Sequence, residues 1–190
     1  MKTATQDLSD EHDVILQALD IMQVISEKLQ RNETADKTDI VDLLDFLSEF
    51  ADRCHHGKEE DLLIPGILKF GLFDNNGPIR AILSEHTQGR EHIAKMRKSI
   101  AGDTINIDEF VGSSLAYVSL LREHIRKENT LLFPLIDSWM PTEELYLMYD
   151  KFMEFEEREI GKGHHEELHA LLEALKSIYL ISEETTGSRP

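Results

Sequence analysis

Cysteine is nearly absent from this chain of 190 residues, occurring once, as Cys54. One thiol can build neither a disulfide framework nor a thiolate metal cage. Basic residues are also in short supply, with 20 Lys and Arg against 37 Asp and Glu and a formal net charge of −17. Such a surface repels phosphate backbones and anionic headgroups, so nucleic acid and membrane surfaces are not expected partners. There is no apolar run long enough to span a bilayer and no amino-terminal apolar h-region, and a soluble, cytoplasmic protein is the expectation. The five prolines, at 65, 78, 134, 141 and 190, leave long stretches free for helices. Alternating runs of β-branched residues are missing, which argues against a sheet. The hydrophobic fraction of 41 % is nevertheless too high for a disordered acidic chain, so the charge belongs to the surface of a folded domain.

Apolar residues recur at three- and four-residue steps in four stretches. The first reads Leu8, Ile15, Leu19, Met22 and Leu29, with Ser9 as its expected N-cap. The second reads Ile40, Leu44, Leu47 and Ala51, then Leu62 and Leu63, ending near Pro65-Gly66. The third follows Asn76-Gly77-Pro78 with Ile79, Ile82, Ile93, Met96 and Ile100. The fourth reads Phe110, Ser114, Tyr117 and Leu121, then Leu131 and Leu135. Four amphipathic stretches with short connectors predict an all-α, up-down-up-down antiparallel four-helix bundle. A further helical stretch over 141–181, bent or broken at Gly161-Lys162-Gly163, is expected to pack on the bundle, and 182–190 is expected to be a flexible tail.

Each of the four stripes is interrupted by histidine: Leu8-His12-Ile15, Ala51-His55-Glu59-Leu62, Ile82-His86-Ile93 and Leu121-His124-Glu128-Leu131. Histidine and glutamate on core-facing positions must be hydrogen-bonded or metal-bound, because an unpaired buried carboxylate costs several kcal/mol. An internal repeat sets the register. Residues 55–65 align with 124–134 at a constant offset of 69, with identical His, Lys, Glu, Leu-Leu and Pro. His12 precedes His55 by 43 residues and His86 precedes His124 by 38, so the chain is two helical hairpins, each with His on its first helix and His-x-x-x-Glu on its second. Residues i and i+4 share a helix face, so each His-Glu pair reaches a common point, and two facing pairs offer carboxylates able to bridge a metal pair. Four His and two Glu form a sulfur-free set suited to Fe, Mn or Zn. His56 and Glu60 fall one step off this register, and His56 and His92 are expected at the surface.

With Glu11-His12, Cys54-His55-His56-Gly57-Lys58-Glu59-Glu60 before Leu-Leu-Ile-Pro, Glu85-His86 before Gly89-Arg90, and His124-Ile-Arg-Lys-Glu128 before Leu-Leu-Phe-Pro, the sequence resembles the hemerythrin-like, or HHE cation-binding, domain over about residues 5–137. The resemblance implies two non-haem iron ions with an oxo, hydroxo or water bridge, meeting dioxygen or a related small oxidant. His12 and His55 would hold one iron and His86 and His124 the other, with Glu59 and Glu128 bridging. Oxygen or redox binding or sensing is the implied role. The alternatives are a redox enzyme decomposing peroxide or a nitrogen oxide, and an iron-storage or structural metal domain. Whether the protein is an enzyme, and whether it has a protein or electron-transfer partner, stay open. One departure stands out. Oxygen-carrying members have His-x-x-x-His on the third helix, whereas His86 is followed at i+4 by Arg90, which cannot ligate. That leaves an open position or one filled by water, Glu60 or Tyr117, of which Tyr117 is expected rather to be a core aromatic with its hydroxyl hydrogen-bonded.

His165-Glu166-Glu167-Leu168-His169 matches the H-E-x-x-H zinc protease motif. Only residues 170–190 follow, too few for a second lobe of a substrate cleft, with Glu173, Glu183 or Glu184 as the available third ligands. The segment is expected either to pack through His165, Leu168, Leu172, Leu175 and Tyr179, or to present His164, His165 and His169 to solvent. Cys54 is expected to be a space-filling core residue.

Overall fold

Helix α1 (Ala4–Gln30) starts five residues before the expected N-cap. Thr3 accepts the backbone N–H of Gln6, and the Gln6 side chain accepts that of Thr3, a reciprocal cap that Ser9, inside the helix, does not make. The early start is driven by packing, since Ala4 and Leu8 are already fully buried. These features come from a computed structural model that describes residues 1–72 and 77–180, and no strand occurs among the described residues. The tail at 182–190, Asn76 of the inter-hairpin connector, and Glu183 and Glu184 lie outside the described residues.

The return path of the first hairpin is a continuous helix of mixed winding. Helix α2 (Lys37–Phe46), capped by Asp36, passes into a π-helical segment π1 (Leu47–His56), then π2 (Glu59–Leu63), then α3 (Ile64–Lys69). The second hairpin comprises α4 (Pro78–Ser99) and α5 (Ile107–Lys127), continued by π3 (Glu128–Leu132) and α6 (Phe133–Trp139). The 69-residue repeat extends to the backbone: the Ile64 N–H reaches the Glu59 carbonyl and the Phe133 N–H reaches that of Glu128, each skipping one residue ahead of a proline. Pro65 and Pro134 stand in the first turns of α3 and α6, where the missing N–H is tolerated.

The extra residue of π3 corrects the fourth stripe. Leu131 and Leu135 are exposed (63 % and 42 %), and the core is filled instead by Leu132, Phe133 and Ile136. A π turn closes over one more residue than an α turn and so rotates every following side chain about the axis.

The four bundle stretches pack with α1 and α4 against α5, and π1 against α1 and α4. The carboxy-terminal part forms two helices, α7 (Thr142–Glu159) and α8 (His164–Tyr179), separated at Gly161 and Gly163, which both adopt positive φ. Both lie over the first hairpin: α7 against α1, π1 and π2, and α8 against α1 and α2. Tyr179 donates to Asp39 (2.7 Å), and His164 Nε2 pairs with Glu49 (2.5 Å), fastening the two ends of α8. No helix among the described residues is long and apolar enough to cross a membrane.

Two apolar clusters result, one around Ile15, Leu19, Ala51, Met96, Phe110 and Leu121, the other around Leu8, Leu63, Ile82, Leu132, Phe133 and Phe152. With Leu132 in place of Leu131 in the fourth stripe, each interrupting histidine falls between a residue of one cluster and a residue of the other. A polar layer is thereby enclosed between two dry ones.

Candidate metal centre

All six residues singled out by the repeat reach this layer: His12, His55, Glu59, His86, His124 and Glu128 are each at most 1 % exposed. Glu59 faces His55 Nε2 through Oε1 (3.7 Å) and His86 Nε2 through Oε2 (3.3 Å). Glu128 Oε2 stands 3.2 Å from both His12 Nε2 and His124 Nε2. Each carboxylate therefore spans the two hairpins. His12, His55, Glu59 and Glu128 form one group of converging donor atoms, and Glu59, His86 and His124 belong to a second, so Glu59 is common to both.

The far side of each imidazole fixes its tautomer. His55 Nδ1 faces Glu11 (3.0 Å), His124 Nδ1 faces Glu85 (2.9 Å), His86 Nδ1 faces Glu60 (2.8 Å) and His12 Nδ1 faces the Asn129 carbonyl oxygen (2.8 Å). These oxygens accept, so Nδ1 donates and Nε2 presents a lone pair to the centre. His86 Nε2 and His124 Nε2 are only 3.3 Å apart, about the spacing of two adjacent nitrogens on one ion at ordinary metal–nitrogen distances. The Nε2 atoms of His12 and His55, and all four oxygens of Glu59 and Glu128, are buried without a hydrogen-bond partner. Acceptors aimed at one another in a dry interior require cations between them. The donor set thus fits a pair of divalent ions with nitrogen and oxygen preference.

The outer partners obey the same repeat. Glu11 and Glu85 each precede a centre histidine and each receive a lysine, Lys58 and Lys127, which are themselves 69 residues apart. Glu60 and Asn129, which hold His86 and His12, are also 69 apart. The duplicated Glu-His dipeptides and the Lys before each bridging Glu are the sequence signal for this shell. Carboxylate–histidine pairs of this kind orient metal-bound imidazoles.

Electrostatics reflect the crowding. Burial pushes Glu128 up, and the facing charge of Glu59 adds to it, bringing it to about 8. Glu59 moves the other way: burial opposes the shift, but His55 and His86 hold it below the ordinary carboxylate range. Burial works against a charged His86, yet Glu59 and Glu60 raise it to about 9. Burial likewise opposes ionisation of Glu11, but Lys58 and His55 bring it down to about 2.

His56 departs from the sequence expectation. It is buried, 3 % exposed, with Nδ1 3.3 Å from Asp52 and Nε2 without a partner. Its ring stacks on His86 at 3.9 Å, and its donor atom belongs to the second converging group with Glu59, His86 and His124. His56 lies in π1, where successive side chains are separated by less than the about 100° of an α-helix, and the equivalent Ile125 in the regular helix α5 is buried as well, so this position is enclosed in both halves of the repeat. His92 is half-buried.

Of the groups considered for the position opposite Arg90, Glu60 is an outer partner, accepting from His86 Nδ1 and from Arg90 (2.7 Å). Tyr117 is a core aromatic at 2 % exposure, its phenol pushed up by burial. With Asp52, His56, Gly89, Arg90 and Arg97 it lines a cavity of about 240 Å³ on the outer side of His56.

The His165–His169 segment does not join the centre. Both rings pack on Phe50, at 5.3 and 5.5 Å between centroids, and Leu168, Leu172, Leu175 and Tyr179 are buried in the core. Cys54 is fully buried, and burial pushes its thiol up to about 12, so it fills space. Glu11, Cys54 and Glu156 also converge, but the Lys58 ammonium already lies 2.5 Å from Glu11 and 3.7 Å from Glu156.

A family profile, the hemerythrin HHE cation-binding domain, matches residues 3–136. Uncharacterized proteins of Mycobacterium bovis and Mycobacterium tuberculosis are 25 % identical over 166 residues, covering 85 % of this chain and 64 % of theirs. The chain thus spans less than two thirds of the length of these curated relatives. No solved structure matches.

Proposed function

The chain belongs to the hemerythrin HHE cation-binding domain family, and on that premise we propose that it is a non-haem di-iron protein that binds or reacts with dioxygen or a related small oxidant, in oxygen or redox binding or sensing. The observation that carries this reading is the convergence of imidazole lone pairs and two buried carboxylates with no donor between them. In this reading His12 and His55 hold one iron, His86 and His124 the other, and Glu59 and Glu128 lie between. Iron, when bound, supplies one-electron redox chemistry. The chain supplies the rest: four carboxylate or amide oxygens orient the imidazoles, and two apolar layers keep bulk water out. The cavity beside His56 and Tyr117 gives a small molecule an approach.

A second reading, a redox enzyme consuming peroxide or a nitrogen oxide, is favoured by the polar wall of that cavity, where Ser48 and Asp52 stand beside Arg90 and Arg97, whose guanidinium groups already serve carboxylates. Anaerobic loading with Fe(II), metal analysis and then admission of air separate the two. Two irons per chain with a visible absorption change reversed by removing oxygen support binding. Two irons with catalytic loss of added peroxide or nitrite support the enzyme. Fewer than two irons per chain overturns the di-iron reading.

A further inference from the structure

Resting on the two-metal reading, we propose that His56 is a ligand of the second metal position, taking the place of the absent third-helix histidine, and that Arg90 holds it there as a positioning residue.

Three independent features of His56 point one way. Its Nε2 is buried without a hydrogen-bond partner, although the ring is enclosed by polar groups. Its Nδ1 is engaged by a carboxylate, Asp52, the outer-partner arrangement of His55, His86 and His124. Its donor atom converges with those of Glu59, His86 and His124, of which His86 and His124 hold the second metal in the reading proposed above. A space-filling histidine would need only the first of its nitrogens satisfied and no shared focus.

The repeat shows what sets this position apart. Position 56 corresponds to 125, which is Ile125, a buried apolar residue beside His124 in the regular helix α5. Both halves therefore bury the residue that follows the second-helix histidine, but only the first half puts a donor atom there. The fifth nitrogen comes from that position rather than from a residue at i+4 of His86.

Arg90, standing at that i+4 position, has acquired a different task. Its Nε donates to Asp52 at 2.8 Å and one terminal nitrogen donates to Glu60 at 2.7 Å. Asp52 accepts from His56 and Glu60 from His86, so one guanidinium clamps the two carboxylates that aim the two stacked imidazoles. Bidentate donation across a fixed fork is a geometry that arginine provides and lysine does not.

The test uses Co(II), which reports its nitrogen and oxygen ligands in the visible spectrum, titrated into the full chain under anaerobic conditions with a competing chelator. Wild type is expected to take two ions. His56→Leu is expected to keep one ion at wild-type affinity and to weaken the other at least tenfold, with an altered spectrum for that ion alone. His56→Gln, which keeps a polar group of similar reach, guards against misfolding, and each variant is checked by its metal-free thermal melt. Arg90→Gln, a change at a half-exposed surface position, is expected to weaken the second ion about tenfold and spare the first, with Arg90→Lys intermediate, in line with the usual cost of losing an outer partner. Two ions in a correctly folded His56→Leu with unchanged affinity and spectrum would overturn the ligand assignment. An unaffected Arg90→Gln would overturn the clamp. Wild type that fails to take two ions would defeat the underlying two-metal reading instead, so the failures are distinguishable.

Discussion

Lys58 and Lys127 occupy equivalent positions of the repeat and each donates to the glutamate that precedes a centre histidine, so they compare a buried ion-pair network with a partly exposed single pair. Lys58 is fully buried and its ammonium serves Glu11 (2.5 Å) and Asp7 (2.9 Å), with Glu156 at 3.7 Å. Lys127 is about one-third exposed and serves Glu85 alone. Replacing Lys58 by Met leaves two or three carboxylates in a dry site without a counter-charge, and breaking a buried pair in this way costs about 3–5 kcal/mol. Replacing Lys127 by Met removes a partly solvated pair, for which about 0–1 kcal/mol is the ordinary cost. For a chain of this length each kcal/mol moves the midpoint by about 2–4 °C, so Lys58→Met should melt about 6–20 °C below wild type and Lys127→Met within about 4 °C. Urea unfolding of both variants, metal-free and metal-loaded, measures the difference directly. The comparison also reaches the centre, because Glu11 orients His55 and loses its strongest partner in Lys58→Met. Equal destabilisation by the two substitutions, or a loss below about 1 kcal/mol for Lys58→Met, would refute the reasoning that enclosure by α7 and α8 makes the first half of the repeat the costly one.

Metal analysis of three carboxylate variants tests the register of the ligands: Glu59→Ala and Glu128→Ala should each lose iron, whereas Glu60→Ala should retain both ions with about 10–100-fold weaker binding, as expected for an outer partner. Equal losses from all three would show the register to be wrong. The double variant His165→Ala/His169→Ala should keep wild-type metal stoichiometry by the same measurement, since both rings pack on Phe50 and neither faces the centre. Two glycines under α7 should respond differently to alanine. A Cβ at Gly57 meets the Phe155 ring at 2.8 Å, and at Gly66 it meets the Met148 terminal methyl at 2.4 Å. The flexible methionine can withdraw, so Gly66→Ala should stay within about 1 kcal/mol of wild type, while Gly57→Ala should lose about 1–3 kcal/mol in denaturant melts through overpacking.

The helical class, the hairpin pairing and the convergence of His12, His55, Glu59, His86, His124 and Glu128 were legible because they depend on coarse periodicity and on a repeat that compares the chain with itself. An offset of 69 needs no knowledge of exact winding. What escaped depended on winding. Leu131 and Leu135 continue an α-helical stripe on paper, but π3 adds a residue to the turn and exposes both. His56 looks one step out of register because only His55 has a glutamate at i+4, yet its position is enclosed, as is the equivalent Ile125 in the second half of the repeat. Ser9 has the right chemistry for a cap, yet Thr3 wins because the stretch from Ala4 to Leu8 already has core to bury. Local propensity and a 3.6-residue period cannot register a single extra residue per turn, and at this site such residues decide which side chains point inward.

The two halves of the centre are alike in bonding and unlike in surroundings. In the first, Glu11 and Lys58 are closed over by α7, with Phe152 beneath the ammonium at 5.5 Å from its ring centroid and Glu156 beside it. In the second, Glu85 and Lys127 border solvent, and the cavity at Arg90 reaches His56. The exchange of Glu60 for Asn129 follows the same division. Glu60 carries a charge where Arg90 can compensate it, whereas Asn129 holds His12 through a neutral amide on the opposite face. A charged partner raises the basicity of an imidazole more than an amide does, so Glu60 makes His86 a stronger base than Asn129 makes His12. Two identical halves of the repeat would have identical surroundings. Here α7 and α8 cover the first hairpin and close the His12–His55 side, whereas the cavity at Arg90 and His56 lies on the side of His86, on which His56 stacks.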